Sequence, residues 1–320
     1  MTTGASQLDV SVVLSTYNRA QVLPRALESL LDQNHDNARY EVIVVDNNST
    51  DDTHHHIESF ATKALNLRHV FEPKQGLSHA RNAGILAAGA PLVAFTDDDV
   101  RVSRDWVSTI ARLFAEHPEA GCVGGKVLPN WSGPWPAWLT REHWSPLALL
   151  DYGDTAFHVD ATRRLCLIGA NSAYRREVFD QIGMFAPRFV RMQDHELLLR
   201  FWRAGGRGLY WPGLTVVADI APERMRRRYH RRWHHRAGYF SALLHDEEVE
   251  QTGVGRLFGV PAHLYRRAAI EFVACASRLL RGDVAKAFTH EIGVRFCLGF
   301  FKARWRESLS NGSTPGPISA

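Results

Sequence analysis

Apolar and polar positions alternate along the first third of the chain in a repeating two-part rhythm. Short β-branched runs at residues 10–14, 41–45, Leu67–Phe71 and 91–95 read as strands. Between them, residues 19–33, 50–65 and 76–88 space their apolar side chains as amphipathic helices do. This succession predicts an α/β fold, a mostly parallel sheet with helices on both faces. A helix over 107–117 and a strand over 121–128 continue it. Residues 129–146 break the rhythm, with Trp131, Trp135, Trp138 and Trp144 set among prolines. That segment reads as an irregular surface loop, which either covers a ligand or packs its tryptophans onto the body. A buried strand and turn is expected over 166–173, helices over 175–182 and 194–204, and a strand over 208–217. From Pro222 onward the pattern is helical, and the Gly-, Pro- and Ser-rich residues 310–320 read as disordered.

A length of 320 residues allows one large α/β domain with appended elements. Cys122, Cys166, Cys275 and Cys297 have no paired spacing, so they read as reduced thiols rather than a disulfide frame or a zinc site. Residues 1–9 have neither a basic nor an apolar leader region, and no apolar run is long enough to span a bilayer. The expectation is a cytoplasmic protein.

The strand ends carry the chemistry. The fourth strand runs into Asp97-Asp98-Asp99, where adjacent carboxylates repel and a divalent cation would relieve the crowding. The competing reading is an acidic cap on a helix starting near Ser103. The first strand ends in Ser15-Thr16-Tyr17-Asn18-Arg19, the second in Asp46-Asn47-Asn48, and the third leads to a helix carrying Arg81 and Asn82. Open α/β sheets bind ligands beyond the carboxyl ends of their strands, so these groups converge on one rim. Hydrogen-bonding groups, an aromatic, a cation and a metal site together suit a nucleoside diphosphate. Neither of the common glycine-rich phosphate loops is present, which leaves phosphate to metal and side chains.

The segments Val10-Ser11-Val12-Val13-Leu14-Ser15-Thr16-Tyr17-Asn18-Arg19 and Glu41-Val42-Ile43-Val44-Val45-Asp46-Asn47-Asn48-Ser49-Thr50-Asp51 resemble the opening of glycosyltransferase family 2. The likeness continues in Gly76-Leu77-Ser78-His79-Ala80-Arg81-Asn82, in Phe95-Thr96-Asp97-Asp98-Asp99, in Gly169-Ala170-Asn171 and in Gln193-Asp194. It implies the GT-A fold, a nucleotide-sugar donor, Mg2+ or Mn2+ as cofactor, and inversion at the anomeric carbon. Carried over by position, the Asp-x-Asp motif falls on Asp97 and Asp99 as metal ligands, with Asp97 also placed for ribose and Asp98 as the variable middle residue. Asp46 would contact the nucleobase with Thr16 and Tyr17 beside it, and Arg19 and Arg81 would reach the donor. Asp194 would be the general base, although Gln193 stands where the family has glutamate. Read alone, without that resemblance, Asp194 reads as an N-cap for the helix that follows it. Asn171 would face acceptor or diphosphate.

The net charge of +4 is small, and the basicity is concentrated in residues 224–236 and towards the C-terminus. The run 224–236 reads as a nucleic-acid-binding helix, as a solvated basic face, or, through the resemblance, as a region near the diphosphate. The last reading gives roles to Arg232 and Trp233 and makes His234 a further metal ligand. His54-His55-His56 reads as a solvated helix face without matching ligands nearby. The apolar stretch 296–301, bordered by Arg295 and Lys302, suggests contact with an anionic membrane, a helical pair closing the domain, or a homodimer contact.

These readings combine into a GT-A catalytic domain over 1–221, a helical region over 222–309 and a tail over 310–320. The donor half would span about 8–128 and the acceptor half about 129–221. The expected function is inverting transfer from a nucleotide-sugar, UDP-sugar favoured, to a hydroxyl of a glycan or lipid-linked acceptor in cell-surface polysaccharide or glycolipid assembly. It would act in the cytoplasm or on the inner face of the plasma membrane, without nucleic acid. The rivals are a catalytically silent nucleotide-sugar-binding relative, a nucleotidyltransferase and a nucleic-acid-binding protein.

Overall fold

The computed structural model describes residues 8–251 and 253–311. The chain divides into two compact units, one built from the residues up to Trp131 with Ala148–Ile220, the other from Ser132–Leu147 with the residues from Ala221 on.

The first unit follows the order β1 (Val10–Thr16), α1 (Leu23–Leu31), β2 (Tyr40–Asp46), α2 (Thr53–Ala61), β3 (Leu67–Phe71), α3 (Leu77–Ala87), β4 (Leu92–Asp97) and β5 (Val100–Val102). It continues through α4 (Trp106–Glu116), β6 (Cys122–Trp131), β7 (Phe157–Val159), β8 (Ser172–Arg175), α5 (Arg176–Ile182), α6 (Gln193–Arg203) and β9 (Gly208–Ile220). One sheet runs β3-β2-β1-β4-β8-β6-β9-β5, with β7 also paired to β9. β3, β2, β1 and β4 are mutually parallel, and β8 is antiparallel to both β4 and β6. Every residue of β2 is buried, as a strand covered by helices on both faces requires.

The α/β expectation holds, with local corrections. β5 and β7, three residues each, were not foreseen, because a run that short carries too little alternation to register. β5 also means that the three aspartates do not lead directly into a helix near Ser103. The strand expected over 166–173 begins only at Ser172, after a 3-10 turn over Gly169–Asn171. α6 begins at Gln193, after Met192 in the left-handed region (φ 62°), so Asp194 lies in the first turn and is not the cap.

The second unit contains α7 (Arg227–Leu244), α8 (Glu247–Glu250), the hairpin β10 (Arg256–Leu257) and β11 (Val260–Pro261), α9 (Ala262–Leu280) and α10 (Val284–Asn311). α7 and α10 touch backbone to backbone: a Cβ on Gly238 would fall 1.9 Å from the Phe296 carbonyl oxygen, and one on Gly299 would fall 1.9 Å from that of His235. Only glycine fits at such a crossing. Ala242, Val260, Leu264, Cys297, Phe300 and Phe301 form part of the core beside it. The stretch 296–301, expected at a membrane, is therefore mostly interior, with Leu298 its exposed member.

Trp138 of the tryptophan loop packs edge-on against His143, His230 and Phe288, at ring-centroid distances of 5.4, 5.0 and 4.8 Å, within this unit. For Trp138 the packing reading therefore holds. α10 extends through Ser310 and Asn311, where the disordered tail was expected to begin, and residues 312–320 of that tail lie outside the described residues. Among the described residues no helix is long and apolar enough to cross a membrane.

Candidate active site

The carboxyl ends of β1, β2 and β4 and the start of α3 supply the rim of the first unit. β1 and β4 are neighbours, so Thr16 reaches the aspartate run: its Oγ1 donates to Asp98 Oδ2 at 2.8 Å, and Arg19 Nε lies 3.6 Å from Asp98 Oδ1. Asp98 is 8% exposed, and its carboxyl is pushed up to about 7, first by burial and then by the charge of Asp99, with Asp97 adding to it. The middle residue of the run is thus an internal strut tied to β1. Sequence reasoning missed this role, and Thr16 and Arg19, expected at the donor, spend contacts on it.

Arg81, on α3, is 3% exposed. Its Nη1 donates to Asp194 Oδ1 at 2.6 Å, and its Nη2 lies 3.4 Å from Asp97 Oδ1. The guanidinium also lies over the rings of Phe95 and Phe185, 5.8 and 5.2 Å from their centroids. Burial opposes its charge, but Asp194 and Asp97 outweigh that penalty and hold the guanidinium more firmly protonated than usual. Gly169 makes the room: a Cβ there would stand 2.3 Å from Arg81 Nη2. Asp97 at the end of β4 and Asp194 in the first turn of α6, far apart in sequence, therefore share one buried cation. Asp99 follows in the turn between β4 and β5, its carbonyl accepting from the Asp219 N–H at 2.8 Å.

Asp46 is 2% exposed and accepts the Ser49 N–H at 2.9 Å, while Tyr17 is 45% exposed at the end of β1. Asn47, not singled out from the sequence, holds the loop before α3. Its Nδ2 donates to the carbonyls of Glu72 and Lys74, and its Oδ1 accepts from the Gly76 N–H. Its place directly after a strand-end aspartate was the available signal.

Asp46 also gathers with His54 and His69, their ligand atoms lying within 4.8 Å of one another. This corrects the reading of His54-His55-His56 as a face with no ligands nearby, because β3 lies beside β2 and brings His69 to the start of α2. A second such group is His117, Glu119 and His158.

Asn171 is a correction. It is fully buried, its Nδ2 donates to the carbonyls of Lys126 and Leu214, and its Oδ1 accepts from Trp106 Nε1. With its amide occupied in this way, Asn171 ties β6 and β9 to α4 and does not face a ligand. Arg232, Trp233 and His234 lie on α7 in the second unit. There Arg232 is exposed, Trp233 packs on His234 at 5.0 Å, and burial lowers His234 to about 4. The basic run is only partly a solvated face. Arg231 forms a two-bond pair with Glu291 at 2.7 Å each, and Arg227 lies over Trp138 and Phe288.

The rim suits a hard divalent cation. Its donors are carboxylate oxygens, and mutual repulsion in the aspartate run is strong enough to help raise Asp98. A parallel sheet with ligand groups at its strand ends, next to a mixed half reached through β8, is the architecture of the GT-A fold. A family model for glycosyl transferase family 2 matches residues 11–183, more than half of the chain, and the chain belongs to that family.

It is similar to a glucosyl-dolichyl phosphate glucuronosyltransferase from Haloferax volcanii, 29% identical over 190 residues, covering 58% of this chain and 59% of the relative. A validoxylamine A glucosyltransferase from Streptomyces hygroscopicus is 36% identical over 118 residues, which is 36% of this chain and 28% of the relative. The chain thus spans less than two thirds of these curated relatives. Among solved structures, a Pyrobaculum calidifontis mannosyltransferase bound to GDP-Man and Mn2+ matches at a TM-score of 0.63 and 20% identity, over 95% of this chain and 88% of that one. Staphylococcus aureus TarS with UDP-GlcNAc matches at 0.56 and 16% identity, over 95% of this chain and 92% of that one. At these identities the structural likeness concerns the fold.

Proposed function

We propose that this protein transfers a sugar, with inversion, from a nucleoside-diphosphate sugar to a hydroxyl of a glycan or lipid-linked acceptor, in the assembly of a cell-surface polysaccharide or glycolipid. The observation that carries this reading is the shared buried Arg81, which sets Asp97 and Asp194 on one cation. A donor-side carboxylate and a candidate base then line the same small space.

In this reading Asp97 and Asp99 hold Mg2+ or Mn2+, whose contribution is Lewis-acid stabilisation of the departing diphosphate. Asp46 and Tyr17 take the base, an arrangement that favours uridine. In a single displacement, the acceptor oxygen bonds to the anomeric carbon as the carbon–phosphate-oxygen bond breaks on the opposite face. Asp194 takes the acceptor's proton. Its Oδ1 is held by Arg81, which leaves Oδ2 for the hydroxyl. In this role position does most of the work. The donor half is assigned to residues 8–128 and the acceptor half to 129–221, and the reaction to the cytoplasmic side of the membrane. The Haloferax relative, whose name specifies a dolichyl-phosphate-linked substrate, supports a lipid-linked acceptor.

A thermal-shift screen of nucleoside diphosphates and their sugars, with and without Mn2+, tests this. Ligand stabilises the native state by RT ln(1 + [L]/Kd). A shift that requires both cation and nucleotide supports the reading, and shifts indifferent to the cation contradict it. If Mn2+-dependent binding occurs with no donor turnover, the chain is instead a silent nucleotide-sugar binder.

A further inference from the structure

Helix α9 buries little of itself. Of its nineteen residues only Leu264 is fully buried. Ile270, Phe272, Val273, Leu279 and Leu280 are 56, 66, 65, 54 and 89% exposed. At 3.6 residues per turn these five positions fall within about half of the helix circumference. Leu264, on the other side, packs into the core of the second unit, and Ala268 and Tyr265, at the edge and on the flank of the apolar arc, pack against that core as well. Soluble monomers seldom leave so many large apolar side chains together in water, and such a face marks an interaction surface.

Charge identifies the occupant. The one carboxylate of α9, Glu271, pairs with His290 of α10 at 2.8 Å. The exposed charges along the helix and its end are Arg266, Arg267 and Arg281. Two copies meeting face to face would set rows of arginine together with no acidic residue of α9 left to answer them. The segments outside the described residues carry only Met1 and Ile318 as large apolar side chains, too few to cover the face.

We propose that α9 lies flat in the surface of an anionic bilayer, its apolar face at the acyl boundary and its arginines at the level of the lipid phosphates. A helix of about 28 Å (nineteen residues at 1.5 Å each) with an exposed apolar face edged by arginine suits that position and does not suit a crossing. Residues 296–301, to which the sequence pointed, lie mostly in the core behind it. The inference deepens the proposed function only in the acceptor, which an enzyme held on a bilayer would meet as a lipid-linked hydroxyl.

The test is flotation of the full chain with vesicles of phosphatidylglycerol and phosphatidylcholine, or of phosphatidylcholine alone, without donor or acceptor. The wild-type chain is expected to float with the anionic vesicles at least about tenfold better than with the neutral ones, and less so at high salt. Phe272→Asp with Leu280→Asp, and separately Arg266→Glu with Arg281→Glu, are expected to abolish flotation while leaving the melting temperature unchanged. Equal flotation of wild type and both variants overturns the proposal. So does no flotation, or a dimer in light scattering that Phe272→Asp with Leu280→Asp dissociates. Donor turnover measured without vesicles is unaffected by these outcomes, so failure here is distinguishable from failure of the proposed function.

Discussion

Arg81 holds the candidate site together through four contacts: two carboxylates and two aromatic faces. Removing one partner of a buried charge pair typically costs about 3–5 kcal/mol, because the remaining charge stays buried. Arg81→Met is therefore expected to lower the urea unfolding free energy by roughly 3 kcal/mol and kcat/KM by at least about 100-fold. Gly169→Ala separates the two effects. The added methyl displaces the guanidinium rather than removing its charge, so activity should fall further than stability. Asn171→Ala should do the reverse. It breaks three buried hydrogen bonds, costing roughly 2–4 kcal/mol, yet the folded fraction should keep its donor KM. A raised KM with unchanged stability would reinstate Asn171 at the ligand. The candidacy of Asp97, Asp99 and Asp194 was legible from residue type and motif. The carboxylate partners of Arg81 could not, because its pairing with Asp194 depends on where α6 meets α3 in space.

Among the elements, long strands and helices announced themselves by period, and their ends moved by only a few residues. What the pattern could not show was pairing order: β8 inserts antiparallel between β4 and β6, and β5 returns to β9. No local signal in a four- or three-residue strand specifies a partner so distant in sequence. α7 illustrates a property visible only after packing. His230 is fully buried against Trp138, His143 and Phe288, and its Nε2 meets the Arg224 carbonyl at 3.0 Å. Burial lowers His230 from 6.5 to about 4, with His143 and His234 opposing its charge further, and burial lowers His143 as well. The unfolded chain thus binds protons that the folded one resists. The contribution of His230 is intact above about pH 6.5 and is lost as pH falls towards 4. Urea midpoints should accordingly drop between pH 7.5 and pH 4.5. His230→Phe should cost about 1 kcal/mol at pH 7.5 through the lost hydrogen bond, but should show a smaller decline on acidification. An undiminished decline would place the titration elsewhere.

The whole molecule carries two surfaces of opposite chemistry: an acidic rim at the strand ends of the first unit and an apolar, arginine-edged helix face in the second. The α/β class and the rim were legible because strand ends and residue types lie along the chain. The helix face was not, since periodicity marks a helix as amphipathic without saying which apolar side is covered. The rim is what the account depends on. Its most direct test pairs calorimetric binding of a nucleoside diphosphate with transfer rates for wild type, Asp99→Ala and Asp194→Asn in Mn2+. Asp194→Asn is expected to bind nucleotide and Mn2+ as the wild type does, yet to lose transfer by about 100- to 10,000-fold, while Asp99→Ala loses the Mn2+-dependent part of binding. Wild-type transfer by Asp194→Asn, or nucleotide binding indifferent to both Mn2+ and Asp99, would contradict it.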